Sequence, residues 1–408
     1  MLRPISLVRF AVVVSFAVAV GIGCADGDGA PDDAGTAEPE PEPEPVPPTA
    51  VIGGVVDGAA PLALTLDAGA STAGDAPLAT FAWSIDDAPV GEGATLDVTL
   101  VAWRAHTIAL VVTDEEGLSH SASVVVNVSP EACPLFKAPA VRGSLNAAAM
   151  TETSGLVAST KTPGAFFAHN DSGAGPYVFA ITATGALIDA YEIAGASAYD
   201  WEDIAAGPGP EEGERYLYVG DVGDNDYVRT SVRIYRVKEP VLDDTDEPAV
   251  LTTESADVLT LTYPGARENV EGLVVDPKDG ALYLFSKGYD ARSRVYRASP
   301  MVAGNSSEVL TQVATLDVNG AGTSTPLITA VDVSPRGNLV VVRTYTHLFA
   351  WPRDVDAPFA DTFAGTRCAI APPNEPQGEA VAFDLDGRTV LTVSEGAGAP
   401  VYHLARDD

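Results

Sequence analysis

Val270-Glu271-Gly272-Leu273-Val274-Val275-Asp276-Pro277 returns in altered form along the rest of this chain. Trp201-Glu202-Asp203-Ile204-Ala205-Ala206-Gly207-Pro208, Ile328-Thr329-Ala330-Val331-Asp332-Val333-Ser334-Pro335 and Gly378-Glu379-Ala380-Val381-Ala382-Phe383-Asp384-Leu385 align with it, and Thr153-Ser154-Gly155-Leu156 supplies a shorter copy. A second apolar run follows each: Ala165-Phe166-Phe167-Ala168, Tyr216-Leu217-Tyr218-Val219, Ala281-Leu282-Tyr283-Leu284-Phe285, Asn338-Leu339-Val340-Val341-Val342 and Thr389-Val390-Leu391-Thr392-Val393. In most copies a third follows, such as Ser231-Val232-Arg233-Ile234-Tyr235-Arg236-Val237. No helical period interrupts them. Repeating units of about 50 to 70 residues built from strands alone point to a β-propeller over 134–408. Five blades are expected, with six as the alternative. The chain ends after Val401-Tyr402-His403-Leu404, which leaves the fifth unit short of an outer strand. The stretch from Ala138 to Leu145 precedes the first unit and is expected to fill that place, since closure removes exposed sheet edges.

In a propeller the starts of the innermost strands and the ends of the second strands emerge on one face around the central channel. Pooling those positions brings together Glu152 or Ser154, Glu202, Asp203, Glu271, Thr329 and Glu379 with His169-Asn170-Asp171, Gly220-Asp221, Asp224-Asn225, Lys287, Arg343 and Glu395. Converging carboxylates repel one another unless a proton or a cation neutralises them. Asp171, Glu202, Asp221 and Glu271 are therefore expected to hold a metal ion. Oxygen donors without Cys favour Ca²⁺. His169, Asn170, Asp171, Asp203, Asp224, Asn225, Lys287, Arg343, Glu379 and Glu395 are the candidate ligand-binding residues. The competing reading is local: Asn-Asp-Ser-Gly and Gly-Asp-Asn are common turn sequences, in which Asp and Asn bond their own backbone. No complete catalytic constellation can be assembled.

Upstream, residues 50–130 change to short alternating runs, Leu62-Ala63-Leu64-Thr65-Leu66, Thr80-Phe81-Ala82-Trp83-Ser84, Thr107-Ile108-Ala109-Leu110-Val111-Val112 and Ser123-Val124-Val125-Val126-Asn127-Val128. Their length and spacing predict a small β-sandwich with Trp83 in its core. Ala60-Pro61-Leu62, Leu66-Asp67-Ala68-Gly69-Ala70-Ser71, Phe81-Ala82-Trp83 and Val112-Thr113-Asp114-Glu115-Glu116-Gly117-Leu118-Ser119 together resemble a polycystic-kidney-disease (PKD) domain. That resemblance implies an immunoglobulin-like spacer or adhesive module. Farther on, His169-Asn170-Asp171-Ser172-Gly173, Asp200-Trp201-Glu202-Asp203-Ile204-Ala205 and Gly220-Asp221-Val222-Gly223-Asp224-Asn225 resemble a group of poorly characterised bacterial exported propeller proteins. This second resemblance implies a fold and carries no activity with it.

The first 23 residues hold Arg3, Arg9, no acid and an apolar run from Phe10 to Ile22, the layout of a secretory signal. Val20-Gly21-Ile22-Gly23-Cys24 resembles a bacterial lipobox, with Gly21 where that family usually has Leu, and implies lipidation at Cys24. Residues 24–49 are acidic, proline-rich and free of Lys and Arg, which predicts an extended stalk. With Cys24 acylated, Cys133 and Cys368 remain as a candidate disulfide in an oxidising compartment. Across 408 residues, 57 acids against 23 bases give a net charge of −34, a field that repels phosphate backbones and excludes nucleic acid as a partner. The expectation is an exported, outer-membrane-anchored monomeric lipoprotein of the cell envelope, held to the membrane through its amino-terminal lipid alone. Its propeller face would bind an envelope glycan, a protein or a small anionic ligand with calcium. The alternatives are a calcium-dependent extracellular hydrolase of phosphoesters or glycans and a structural surface protein.

Overall fold

A computed structural model of the chain describes residues 43–171, 173–242, 247–289, 292–318 and 327–407. The expected signal peptide, Cys24 and most of the expected stalk lie outside them. The described chain is all-β, with one short 3-10 turn at Phe359–Ala364. Among these residues no helix is long and apolar enough to cross a membrane.

Leu78–Ile85, Ala88–Glu92, Ala105–Asp114, Ser119–Ser129 and Gly58–Ala59 form one sheet, and Leu62–Asp67 pairs with Thr95–Leu100 in a second. Burial alternates along Ala105–Asp114, so His106, Ile108, Leu110 and Val112 face inward while their neighbours face out. Leu64, Leu66 and Leu100 from the smaller sheet meet them around the buried Trp83, whose indole donates to Gly93 O at 2.9 Å. A polar edge joins this region to the rest: Arg104 Nε donates to Asp356 Oδ2 at 2.6 Å and Trp103 N to Asp354 Oδ1 at 3.3 Å.

Beyond residue 139 the strands form five further sheets, each built on three antiparallel strands that follow one another in the chain. Their first strands are Thr153–Ala158, Trp201–Pro208, Val270–Val275, Ile328–Val333 and Gly378–Phe383. Each of these lies against the next, and the fifth lies against the first. They are buried on both faces, which is why they read as apolar runs without alternation. Ala140–Ser144, from before the first sheet, pairs with Pro400–Ala405 and supplies the fifth sheet with its outer strand, as the sequence suggested. Val250–Thr252 and Ser306–Val309 add parallel edge strands to the first and second sheets, which the repeat alone did not indicate.

Two carboxylates tie the innermost strands together. Asp203 accepts from Ile204 N at 2.9 Å, Leu273 N at 2.9 Å and Val331 N at 3.3 Å. Asp332 accepts from Val333 N at 2.8 Å and Phe383 N at 2.7 Å. Innermost strands have a ladder partner on one side only, and these acids satisfy amides left over. Near the closing strand, Cys133 and Cys368 form a disulfide across 235 residues of sequence, with Cα atoms 5.4 Å apart. Beside it, buried Glu131 pairs with Arg406 at 2.8 Å and accepts from Asn338 Nδ2 at 3.0 Å.

Candidate functional site

One irregularity recurs in all five innermost strands. The pairing with the second strand skips a residue between Thr153 and Gly155, Trp201 and Asp203, Val270 and Gly272, Ile328 and Ala330, and Gly378 and Ala380. The skipped residues are Ser154, Glu202, Glu271, Thr329 and Glu379, each second in its strand. A β-bulge of this kind bends the strand and re-aims the extra side chain. Two of the five are hydroxyls that donate across to the neighbouring strand, Ser154 Oγ to Glu202 O at 2.6 Å and Thr329 Oγ1 to Gly378 O at 2.9 Å. The other three are buried glutamates.

Around the glutamates more acids gather. Ligand oxygens of Asp171, Asp200 and Glu202 lie within 4.8 Å of one another, so these three could hold a metal ion. Gly223 closes over them: a Cβ there would stand 2.2 Å from Glu202 Oε1 and 2.4 Å from Asp200 Oδ2. Burial, reinforced by Asp171, raises the Asp200 carboxyl to about 6. Glu202, 4% exposed, is held well above the ordinary range by burial and by Glu271, Asp171 and Asp200. Burial also raises Glu271, although Lys287 Nζ sits 2.7 Å from its Oε1. Glu379 rises to about 8, with burial helped by Glu271 and Glu395 against a hydrogen bond from Gln377. Glu395 is raised by burial and by Glu152 and Asp171. Lys287, its ammonium 5.5 Å from the centre of the Tyr345 ring, is the cation inside this group, and Glu271 holds it protonated against the effect of burial.

The three carboxylates that could hold an ion share Asp171 and Glu202 with the quartet expected from sequence and have Asp200 in place of Asp221 and Glu271. Asp221 Oδ1 is taken by Arg229 at 2.9 Å and by the Asp200 amide at 3.2 Å. Glu271 Oε1 is taken by Lys287 and by Asn269 Nδ2 at 2.9 Å. Asp200 stands two residues before Glu202, hence on the same side of an extended chain, a period-2 signal present in Asp200-Trp201-Glu202. Gly223 left no such signal in the sequence, since its role depends on what faces it.

Several expected ligand-binding residues are engaged in the framework. His169 is fully buried, edge-on to Trp201 at 5.5 Å and bonded through Nδ1 to Asn170 O at 2.8 Å; burial lowers it to about 4, so it is neutral. Asn170 holds its own loop, donating to Ala149 O and accepting from Glu152 N. Asp203 ties the innermost strands through the Leu273 and Val331 amides. Asp224 accepts from Val228 N at 2.8 Å and Arg229 N at 2.9 Å, the local turn chemistry that the competing reading proposed. Arg343 is buried against Glu375, and its guanidinium crosses the place where a Gly378 side chain would be. Asn225, Lys287, Glu379 and Glu395 belong to the acidic end or its border.

No protein-family model and no curated protein matches the chain. Among solved structures the chain is similar to the PKD1 domain of Vibrio anguillarum Epp, at 21% identity, over 21% of this chain and 98% of that one, with a TM-score of 0.19.

Proposed function

We propose that this chain is a lipid-anchored cell-envelope protein in which a five-bladed β-propeller binds a ligand through a calcium ion at one end of its central channel. In this reading residues 1–23 are a lipoprotein signal peptide, Cys24 carries the lipid, 24–49 form a stalk, 50–130 a PKD-like sandwich and 134–408 the propeller. The cyclic order of the five innermost strands and the late pairing of Ala140–Ser144 with the last sheet support the propeller. The observation that carries the function is the repeated bulge, which turns Glu202, Glu271 and Glu379 into one end of the ring beside Asp171 and Asp200. So many buried carboxylates around one lysine are costly as anions unless protons or a cation neutralise them, and a cation lets them stay ionised. Oxygen-only donors suit Ca²⁺.

Titration calorimetry with Ca²⁺, against a chelated control, tests the site in the wild type, Asp200→Asn and Glu202→Gln. Measurable binding in the wild type that either substitution weakens on the order of tenfold, about 1.4 kcal/mol, is the expected result. Equal melting curves with calcium and with chelator in all three proteins would leave only a polar face held by turns. Mass spectrometry of the mature amino terminus tests the anchor: a diacylated Cys24 is expected, and an unmodified terminus elsewhere rejects it.

A further inference from the structure

Three tyrosines stand open to solvent beside the acidic end: Tyr199 is 62% exposed, Tyr227 40% and Tyr289 55%. Each is held in place. The Arg229 guanidinium lies 4.9 Å from the Tyr199 ring centre while donating to Gly223 O at 2.7 Å and Asp221 O at 3.0 Å. Tyr289 OH donates to Asn225 Oδ1 at 3.2 Å, and the same oxygen accepts from Asn269 Nδ2, which also reaches Glu271. A hydrogen-bonded path therefore runs from the rim to the carboxylates. Tyr227, its ring centre 6.4 Å from that of Tyr289, has a φ of 54°, a region where a bulky side chain is strained. Its amide donates to Asp224 O at 2.9 Å and its carbonyl accepts from Arg267 Nη1 at 2.9 Å, so the loop imposes that conformation. Gly or Asn would relax the backbone, and an aromatic ring is presented there instead.

We propose that this tyrosine rim and the adjoining cation site together bind a glycan, with sugar C–H faces packed on Tyr199, Tyr227 and Tyr289 and sugar hydroxyls completing the coordination of the calcium ion. The inference rests on the cation reading given above. Tyrosine offers a flat amphipathic surface at low entropic cost, and Ca²⁺ takes neutral oxygen ligands readily. An organic cation would also suit rings beside carboxylates. Here, however, one ring already carries a guanidinium and Tyr345 already faces the Lys287 ammonium. What the rim still offers is apolar ring surface, and what a calcium ion still needs is oxygen. A polyhydroxylated neutral ligand supplies both.

The full-length protein on a glycan microarray, in calcium and in chelator, tests this. Retention of at least one glycan in calcium and its release by chelator are expected. Tyr199→Ala and Tyr289→Ala should weaken that glycan on the order of tenfold, about 1.4 kcal/mol, with calcium affinity by calorimetry unchanged. Calcium binding without any retained glycan overturns the inference and leaves the cation site standing. So does glycan retention indifferent to both tyrosines, or displacement of the glycan by choline or spermidine. Retention that depends on the tyrosines but ignores chelator, in a protein with no calcium affinity, rejects the cation reading together with the coordination proposed here.

Discussion

At Gly378 an added Cβ would stand 1.4 Å from Arg343 Nη2, so the missing side chain is what lets the guanidinium reach Glu375. Thr392 Oγ1 donates to the same carboxylate, at 3.2 Å to Oε1. Gly378→Ala must push Arg343 off its partner, and breaking a buried ion pair costs about 3–5 kcal/mol. Urea denaturation should show that loss as a lower midpoint with little change in slope. Gly223→Ala is the opposite case at the same scale. There the obstructed atoms are the free ends of the Glu202 and Asp200 side chains, which can swing away. Calcium affinity should fall on the order of tenfold, about 1.4 kcal/mol, while the melting temperature in chelator stays within a degree or two of the wild type. Equal losses of stability in both variants would mean that Gly223 is packed like Gly378 and is not the lid of an ion site.

The strands were legible because two signals coincide. Apolar runs buried on both faces read as Leu273-Val274-Val275 or Leu339-Val340-Val341-Val342, and in three of the five repeats a glutamate, Glu202, Glu271 or Glu379, stands at the same place before the apolar run of the innermost strand. Pooling those acids across repeats found Glu202, Glu271 and Glu379 because the bulge falls at the second residue of every innermost strand. The same pooling did not show that Asp203 is taken up by the Leu273 and Val331 amides and Arg343 by Glu375, since sequence spacing does not name the partners a side chain meets in other parts of the chain. It also missed Glu375, whose role is set by Arg343 from another sheet. His169 was read as a candidate ligand-binding residue, yet it is fully buried against Trp201. The closing strand was foreseen from a missing neighbour, and the disulfide from counting cysteines. Cys133–Cys368 ties the segment leading into that strand to Cys368–Ile370 at the edge of the fourth sheet. Replacing both cysteines by serine should destabilise by about 2–5 kcal/mol, because a long loop in the unfolded chain is released. Calorimetric melting of the oxidised protein and the double variant measures it, and an unchanged transition would mean that Glu131, Arg406 and the strand pairing hold this closure alone.

Across the whole molecule a net charge of −34 makes stability a question of what neutralises the carboxylates. Glu379 titrates at about 8 in the fold against an ordinary 4.5, and Asp332 at about 7 against 3.8. Glu379 is faced by Glu271 and Glu395, which raise it, by Lys287 and the Gln377 amide, which oppose the rise, and by Tyr345 and Arg343. Asp332 is faced by the Val333 and Phe383 amides, which hold it down against the effect of burial. Both folded values lie above the unfolded ones, so the native state binds more protons than the unfolded chain between about pH 4 and pH 8. Stability contributed by these protons is complete below the unfolded values and is lost as pH rises through the folded ones. In chelator, the melting temperature should therefore fall from about pH 5 to about pH 8, opposite to a protein whose carboxylates are stabilised by native ion pairs. Glu379→Gln should flatten that decline and raise the melting temperature at the alkaline end. Calcium should act most where protons have left, adding about 2.7 kcal/mol at a hundredfold excess over its dissociation constant. Scanning calorimetry at three pH values, with calcium and with chelator, reads all of these terms at once. A melting temperature that climbs with pH in chelator would mean that the buried carboxylates are already compensated within the protein, and the need for a cation at the acidic end would disappear with it.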